Sequence, residues 1–302
     1  MEHQPIISVV MSVYNGSRFL RDSIDSILSQ TFIDFEFIIW NDGSTDDSEE
    51  IIKCYEDSRI RYFYHDNLGL GRALNLACQE ARGKYIARMD DDDISLPDRL
   101  QKEYDYLESH PDVVLVSSSA YYIDEKGNSL GQSFQYTHPR VIKSRIFHPC
   151  AMFRKIEYNK TQGYPAAKNS QDTLLWSKLS KYGKLANIEE PLIKYRLISS
   201  SISHSSDPQS PYYKMQLTLR DKMCADENIA DEDIELYNIL AGLTPKISCD
   251  FVYKRTFEEK LHSIFSKIIG TNNSRHIIIS LKNIYGLIRN KINENFYESV
   301  DV

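Results

Sequence analysis

The chain has 302 residues, of which 41% are hydrophobic and 26% are charged, a composition typical of a globular protein with one large core or a core plus an appendage. Its net charge of -7 argues against a nucleic-acid-binding protein, because contacts with phosphates require a basic surface. No run approaches the length of about 18 apolar residues that a transmembrane helix needs, so the sequence predicts none.

Apolar runs of strand length alternate with amphipathic segments in the first part of the chain. Strands are predicted at residues 6–13, 35–40, 60–64 and 85–89, with apolar residues at helical spacing between them. Ser17 is predicted to cap the first helix. The first run is apolar on both faces, which is typical of a central parallel strand. The alternation predicts an α/β fold, with a doubly wound, mostly parallel sheet and helices on both faces.

The second part of the chain is less regular. The predicted elements are strands at 113–116, 121–124 and 130–134, of which the last two flank a hairpin turn, then short helices at 140–146 and from Gln171, and closing strands at 185–188 and 192–197. Periodicity lapses in a Ser-rich stretch, so we expect a sheet domain at residues 1–205 and a separate region at 206–302.

Region 206–302 carries a helical pattern throughout. Helices are predicted at about 210–226, 231–242, 254–269 and 274–293, and the last two are basic on one side and apolar on the other. Such helices either pack on their own domain or on a second copy, which would give a homo-oligomer, or lie peripherally on an anionic membrane. The sequence leaves these alternatives open.

Four consecutive carboxylates, Asp90 to Asp93, directly follow the fourth predicted strand. Adjacent carboxylates repel one another, and a divalent metal relieves the repulsion while accepting oxygen ligands. A solvated acidic loop is the alternative, but the carboxyl ends of strands are where open α/β sheets bind ligands. Asp42 follows the second strand and Asp172 opens a later helix. Two such positions can hold a nucleotide and its metal, and the third acid is then available as a base.

Three common motifs are missing from the sequence. Residues 14–16, Tyr-Asn-Gly, stand where a dinucleotide-binding protein would carry G-x-G-x-x-G, and no Walker loop is present. No G-x-S-x-G nucleophile elbow occurs either. The five cysteines are scattered without a C-x-x-C pair, and the first residues lack the features of a secretory signal. We therefore expect a cytoplasmic protein without a disulfide framework or a zinc site.

Six segments follow the order found in one enzyme family: SVVMSVYN at 8–15, NDGSTD at 41–46, NLGLGRALN at 67–75, RMDDDD at 88–93, HPCAMFR at 148–154 and QDTLLW at 171–176. Over roughly residues 5–203 the chain resembles the family-2 inverting glycosyltransferases with the GT-A fold. A single D-x-D triplet is common, whereas the ordered set is specific. Gln171 and Ile198 depart from the family, which often has an acid and a His there, and His204 follows Ile198 by six residues.

The resemblance implies a role for each matching residue. Ser12 and Tyr14 would border the nucleotide base, Asp42 would accept the N–H of a uracil or thymine ring, and Arg72 would lie near the diphosphate. Asp90 and Asp91 fall at nucleotide-binding positions, and Asp92 would bind Mn²⁺ or Mg²⁺ with Asp90 reaching the metal through water. Asp93 would orient its neighbours or cap the turn before Pro97. Asp172 matches the catalytic base, with His148 and Trp176 on the acceptor side.

Structural alternatives remain for five of these residues. Asp42 also suits a turn, Asp172 the first turn of any helix, and Arg72 a solvated surface. His148 and Trp176 also suit a packed core.

The resemblance thus predicts an inverting hexosyltransferase. It would move a sugar from a nucleotide sugar, most readily a UDP-sugar, to a hydroxyl of a glycan or lipid-linked glycan in bacterial surface polysaccharide synthesis. The expected location is the cytoplasm or the inner face of the plasma membrane. The rivals are a sugar nucleotidyltransferase, which should carry a Gly-rich basic loop after the first strand, and a non-catalytic nucleotide-sugar-binding partner, in which Asp172 would be replaceable.

Overall fold

The computed structural model describes residues 4–132, 146–165 and 171–198. The strands are β1 (Ile7–Val13), β2 (Phe35–Asn41), β3 (Ile60–Tyr64), β4 (Tyr85–Met89), β5 (Ile94–Ser95), β6 (Val113–Ile123), β7 (Ser129–Gln132), β8 (Met152–Arg154) and β9 (Lys184–Arg196). The helices are α1 (Leu20–Leu28), α2 (Ser48–Lys53), α3 (Leu70–Glu80), α4 (Arg99–Ser109), α5 (Lys155–Tyr158) and α6 (Gln171–Leu179), with a 3-10 turn at His148–Cys150. Region 206–302 and nearly all of the helix predicted at 140–146 lie outside the described residues.

The nine strands of the described residues form one sheet in the order β3-β2-β1-β4-β8-β6-β9-β5, with β7 paired to β6. The first four strands are parallel, as are β6 and β9. Strand β8 runs antiparallel to both of its neighbours, β4 and β6. The predicted α/β class is confirmed, and the sheet is mixed because β8 enters between its two halves in the opposite direction.

Side chains of β1 alternate between two cores, one on each face of the sheet. Val9 and Met11 belong to a core that contains residues of α1, α2 and α4. Val10 belongs to a second core with residues of α3 and α6. Helices therefore cover both faces, as the two-sided apolar pattern predicts.

Several predicted element boundaries are wrong, and each for a local reason. Ser17 does not cap α1, because the helix begins at Leu20 and the Ser17 N–H instead donates to Asp46 Oδ2 at 3.0 Å. Strand β6 is continuous, since the three serines at 117–119 are fully buried and carry the strand onward. Strand β9 is also continuous, with register shifts around Pro191, where a ladder N–H is missing.

The strand order brings three loops to one edge of the sheet. Strands β1, β2 and β4 run in parallel, so the segments that follow Val13, Asn41 and Met89 leave the sheet at the same edge. The chain order reverses between β1 and β4, which is the position where doubly wound sheets bind ligands. Among the described helices, none has the length and apolarity needed to cross a membrane.

Candidate active site

The loops after β1 and β2 are joined by hydrogen bonds into one rim. Asn15 has a left-handed φ of 54°, which asparagine tolerates better than most residues. Its Oδ1 accepts the Thr45 N–H at 2.8 Å, and its own N–H donates to Ser44 Oγ at 3.0 Å. The Gly16 N–H donates to Ser48 Oγ at 3.1 Å. The two strand ends that the resemblance assigns to the nucleotide base therefore hold each other in place.

Asp42 lies at the end of β2 and is only 2% exposed. Its Oδ1 accepts the Leu68 N–H at 2.8 Å, and its Oδ2 accepts the Gly69 N–H at 3.0 Å. Gly43, with φ 76°, brings the loop so close that a Cβ there would lie 2.7 Å from the Asn67 nitrogen. Asp42 thus fastens the end of β2 to the start of α3. A carboxylate has about four acceptor sites, so two bonds leave capacity for a ligand N–H.

The loop after β4 gathers the predicted acidic cluster. Asp90, Asp92 and Asp93 each offer a carboxylate oxygen, and these atoms lie within 4.8 Å of one another. Burial, together with the neighbouring carboxylates, raises the pKa of Asp92 and of Asp93 well above the usual value. Asp93 Oδ2 is buried and has no hydrogen-bond partner among the described residues. Clustered hard oxygens and an uncompensated buried carboxylate are what a Mg²⁺ or Mn²⁺ ion requires, so the residues fit a divalent metal.

The acidic loop also makes two contacts with the rest of the fold, one through Asp91 and one through Asp93. Asp91 lies against the β1 rim, where a Cβ on Gly16 would stand 2.1 Å from its Oδ2. Burial first, then the charge of Asp90, raise the pKa of Asp91 to about 7, against hydrogen bonding from the Tyr14 backbone. Asp93 Oδ1 accepts the Arg196 N–H at 2.8 Å.

Two buried arginines, Arg88 and Arg196, support the acidic loop, although the resemblance assigned a role to neither. Arg196 donates from Nε to the Asp92 carbonyl at 2.9 Å, and its guanidinium lies 4.3 Å from the Phe19 ring. Arg88 is fully buried and donates to the Asp90 carboxylate. Alternation along β4 was a usable signal, since residues 86, 88 and 90 share one face of the strand.

Asp172 lies in the first turn of α6 and is half-buried. The starts of α3 and α6 are close together, because a Cβ on Gly71 would lie 2.9 Å from the Pro165 carbonyl and 3.7 Å from Gln171 Cβ. Asp42 holds the start of α3 from the other side. The structure therefore connects the Asp42 and Asp172 positions through the first turn of one helix.

The remaining predicted residues differ in exposure. Ser12 is buried at the end of β1, Tyr14 is 53% exposed, Arg72 is exposed on α3, His148 is half-buried and Trp176 is 1% exposed. Tyr14 and Arg72 are thus accessible to a ligand. Trp176 packs in the core, and a direct acceptor contact for it stays a prediction.

Residues 8–163 match the model of the family described as Glycosyl transferase family 2. The chain belongs to this family. It is 34% identical over 267 residues to an uncharacterized glycosyltransferase of Methanocaldococcus jannaschii, covering 83% of this chain and 92% of that protein. It is also 34% identical to the O-antigen biosynthesis glycosyltransferase WbnJ of Escherichia coli, covering 67% of this chain and 83% of WbnJ.

Solved structures share the fold at low sequence identity. TarS of S. aureus in complex with UDP-GlcNAc superposes with a TM-score of 0.60 at 20% identity, over 73% of this chain and 71% of that one. A mannosyltransferase from Pyrobaculum calidifontis in complex with GDP-Man and Mn²⁺ gives 0.53 at 14% identity, over 94% and 80% of the two chains. The family and the GT-A fold expected from the six sequence segments are both confirmed.

Proposed function

We propose that this family-2 glycosyltransferase is a metal-dependent, inverting hexosyltransferase that moves a sugar from a UDP-sugar to a hydroxyl of a glycan acceptor. The observation that carries the proposal is the link between the Asp42 and Asp172 positions through the start of α3, together with an acidic cluster that follows β4. Asp42 is bonded to the start of α3, Asp172 stands on the helix beside that start, and the acidic loop follows β4.

The donor nucleotide would lie along the rim formed by the ends of β1 and β2. Ser12 and the exposed Tyr14 would border the base, and Asp42 would accept the N–H of uracil. Arg72, exposed on α3, would pair with the diphosphate. TarS, whose structure contains UDP-GlcNAc, supports a uridine nucleotide on this fold.

Asp90, Asp92 and Asp93 would hold Mn²⁺ or Mg²⁺, with Asp91 bound to the β1 rim beside the nucleotide. A bound divalent cation would neutralise the charge that develops on the leaving diphosphate. The mannosyltransferase crystallised with GDP-Man and Mn²⁺ supports metal use on this fold. Arg88, which donates to Asp90, would keep that carboxylate oriented.

Asp172 would act as the general base. It would take the proton from the acceptor hydroxyl while the oxygen attacks the anomeric carbon on the face opposite the diphosphate. A base on one side and the leaving group on the other produce inversion, by the geometry that separates the two classes of glycosidase.

Acceptor and location are part of the same proposal. The E. coli relative acts in O-antigen biosynthesis by its name, which supports a surface polysaccharide or its lipid-linked precursor as acceptor. We place the enzyme in the cytoplasm, with residues 1–205 as the catalytic domain. Residues 206–302 would serve assembly of a homo-oligomer or peripheral contact with the inner face of the plasma membrane.

The test is a donor screen on the purified full-length chain. UDP-, GDP-, dTDP- and CMP-sugars are incubated with Mn²⁺, and release of the free nucleotide is measured. We expect hydrolysis of at least one UDP-sugar and Mn²⁺-dependent binding of UDP. Asp172→Asn should lose turnover by about 1,000-fold while it keeps UDP binding, because a base contributes to the reaction and not to donor affinity. Absence of both turnover and UDP binding in the wild type would refute the proposal.

A further inference from the structure

A small group of buried rings lies between the sheet and α6, beside the proposed base. His148 Nε2 and the Tyr164 hydroxyl share a hydrogen bond of 3.2 Å. Both rings pack on Trp176, at centroid distances of 5.8 Å for His148 and 6.5 Å for Tyr164. Tyr164 is only 3% exposed, so its hydroxyl bonds to a partner within the protein and not to solvent.

Helix geometry relates these rings to Asp172. Trp176 follows Asp172 by four residues in α6, and side chains four apart lie one above the other on the same face. The rings that pack on Trp176 therefore border the face from which Asp172 projects. Burial is the main cause that raises the pKa of Tyr164 well above its usual value, and the charge of Asp172 adds to it. The hydroxyl is thus within electrostatic reach of the proposed base.

Asn75 of α3 fixes the backbone of Tyr164 from both sides. Its Oδ1 accepts the Tyr164 N–H at 2.7 Å, and its Nδ2 donates to the Tyr164 carbonyl at 2.7 Å. Gly163, with φ 76°, lets the chain approach so closely that a Cβ there would stand 2.4 Å from Asn75 Oδ1. Asn75 belongs to the segment NLGLGRALN, where the resemblance assigned it no role. The structure gives Asn75 a role, since its two bonds fix the backbone position of Tyr164.

His148 is a neutral partner for the hydroxyl. Burial, and then the nearby Arg88 guanidinium, hold the pKa of His148 well below its usual value. A neutral imidazole keeps one ring nitrogen as an acceptor and one as a donor, so it pairs with a hydroxyl in a single orientation for each tautomer. The pair therefore orients both rings against Trp176.

We propose that Tyr164 is a positioning residue for the glycosyl transfer: Asn75 fixes its backbone, its hydroxyl holds His148, and the two rings set the orientation of the α6 face that carries Asp172. The inference rests on the proposed function, in which Asp172 is the general base. It predicts that the Tyr164 hydroxyl matters for turnover and not for donor binding.

The test uses Tyr164→Phe in the full chain, with the UDP-sugar that the wild type hydrolyses fastest. We expect kcat to fall about tenfold, the effect of losing one orienting hydrogen bond, while KM for the donor and Kd for UDP with Mn²⁺ are unchanged. Tyr85→Phe is the matched control. Tyr85 is also a buried tyrosine with a hydrogen-bonded hydroxyl, which donates to Glu108, but it belongs to the core on the opposite face of the sheet. Its loss should leave kcat unchanged.

A double-mutant cycle separates positioning from packing. His148→Phe and Tyr164→Phe should each lower kcat, and the double variant should lose little more than either alone, because each substitution keeps a ring but removes the same bond. Wild-type kcat in Tyr164→Phe, additive losses, or an equal loss in Tyr85→Phe would overturn the inference while leaving the proposed function intact. A wild type that turns over no nucleotide sugar would instead overturn the proposed function, and this inference with it.

Discussion

The proposed donor edge, which comprises the loops after β1, β2 and β4, and the proposed base side, which comprises α6 and the rings packed on Trp176, are held together by different forces. At the donor edge, short loops bond to one another through backbone N–H groups and side-chain oxygens, as in the pairs Asn15–Thr45 and Asp42–Leu68. On the base side, aromatic rings pack on α6 around Trp176 and share one hydrogen bond. Hydrogen-bonded loops fix the atoms that would contact a ligand, whereas ring packing fixes the direction of one helix face. Substitutions at the donor edge should therefore change binding, and substitutions on the base side should change turnover.

Asp92→Asn should have the largest effect at the donor edge. Removing one carboxylate from a cluster within 4.8 Å weakens a hard-metal site, and we expect Mn²⁺-dependent UDP binding to fall by about 100-fold or more. Calorimetric titration with Mn²⁺ and UDP measures the change. Asp98→Asn is the charge-matched control, because Asp98 pairs with Lys102 at 2.5 Å and lies outside the cluster. Equal Mn²⁺ affinity in Asp92→Asn and wild type would remove Asp92 from the metal site.

Asp42→Asn tests whether Asp42 binds the nucleotide or only holds the loop at Leu68 and Gly69. An amide has one acceptor oxygen, so the N–H of Leu68 or Gly69 loses its partner, at a cost of about 1–3 kcal/mol in unfolding free energy. If Asp42 also accepts the uracil N–H, the preference for UDP over CDP should disappear. The exposed Asp47, changed to Asn, is the control in the same loop. Lower stability with an unchanged UDP preference would favour the turn alternative.

Gly16→Ala tests the contact between the β1 rim and the acidic loop. The new Cβ would stand 2.1 Å from Asp91 Oδ2, so the side chain of Asp91 must move, at a cost of about 1–3 kcal/mol in unfolding free energy. UDP binding should weaken as well, because Asp91 then releases the Tyr14 loop. Denaturant unfolding and UDP titration measure the two effects. In an Asp91→Ala background the stability cost should largely vanish, and a cost that persists would show that the clash lies elsewhere.

The donor edge was predictable from the sequence because its parts are local. Each carboxylate stands within a few residues of an apolar run, so the parallel strands alone bring Asp42 and Asp90 to one edge. The supports of the site were not predictable in this way. Arg196 bonds to Asp93 across 103 positions, and Tyr164 to Asn75 across 89, so no short motif contains either pair. The sequence did not predict the middle of β6, because the three serines at 117–119 are polar and are buried only in the folded sheet.

The acidic loop should also give the metal-free protein a distinctive dependence on pH. Burial raises the pKa of Asp91 to about 7 in the folded chain, against an ordinary value of 3.8, so the folded state favours the neutral acid. The unfolding free energy should therefore fall as pH rises from about 4 to 7 and stay low above pH 7. Mn²⁺ binding requires ionised carboxylates, and burial with the neighbouring carboxylates raises the pKa of Asp92 and of Asp93 well above the usual value, so at pH 7 binding should release a measurable number of protons. Calorimetry in buffers of different ionisation enthalpy measures that number.

A second buried acid helps to isolate this effect. Burial also raises the pKa of Glu103 to about 7, against the opposing charge and hydrogen bonds of Arg99, so Glu103 contributes to stability with the same sign. Glu103 lies on α4, paired with Arg99 at 3.2 Å and outside the acidic cluster, so its contribution should not respond to Mn²⁺. The unfolding free energy is then measured against pH with and without Mn²⁺, and the difference between the two profiles reports the acidic loop alone. If Mn²⁺ binding released no protons at pH 7, the carboxylates of the acidic loop would already be ionised in the metal-free chain, and the raised pKa values behind this prediction would be wrong.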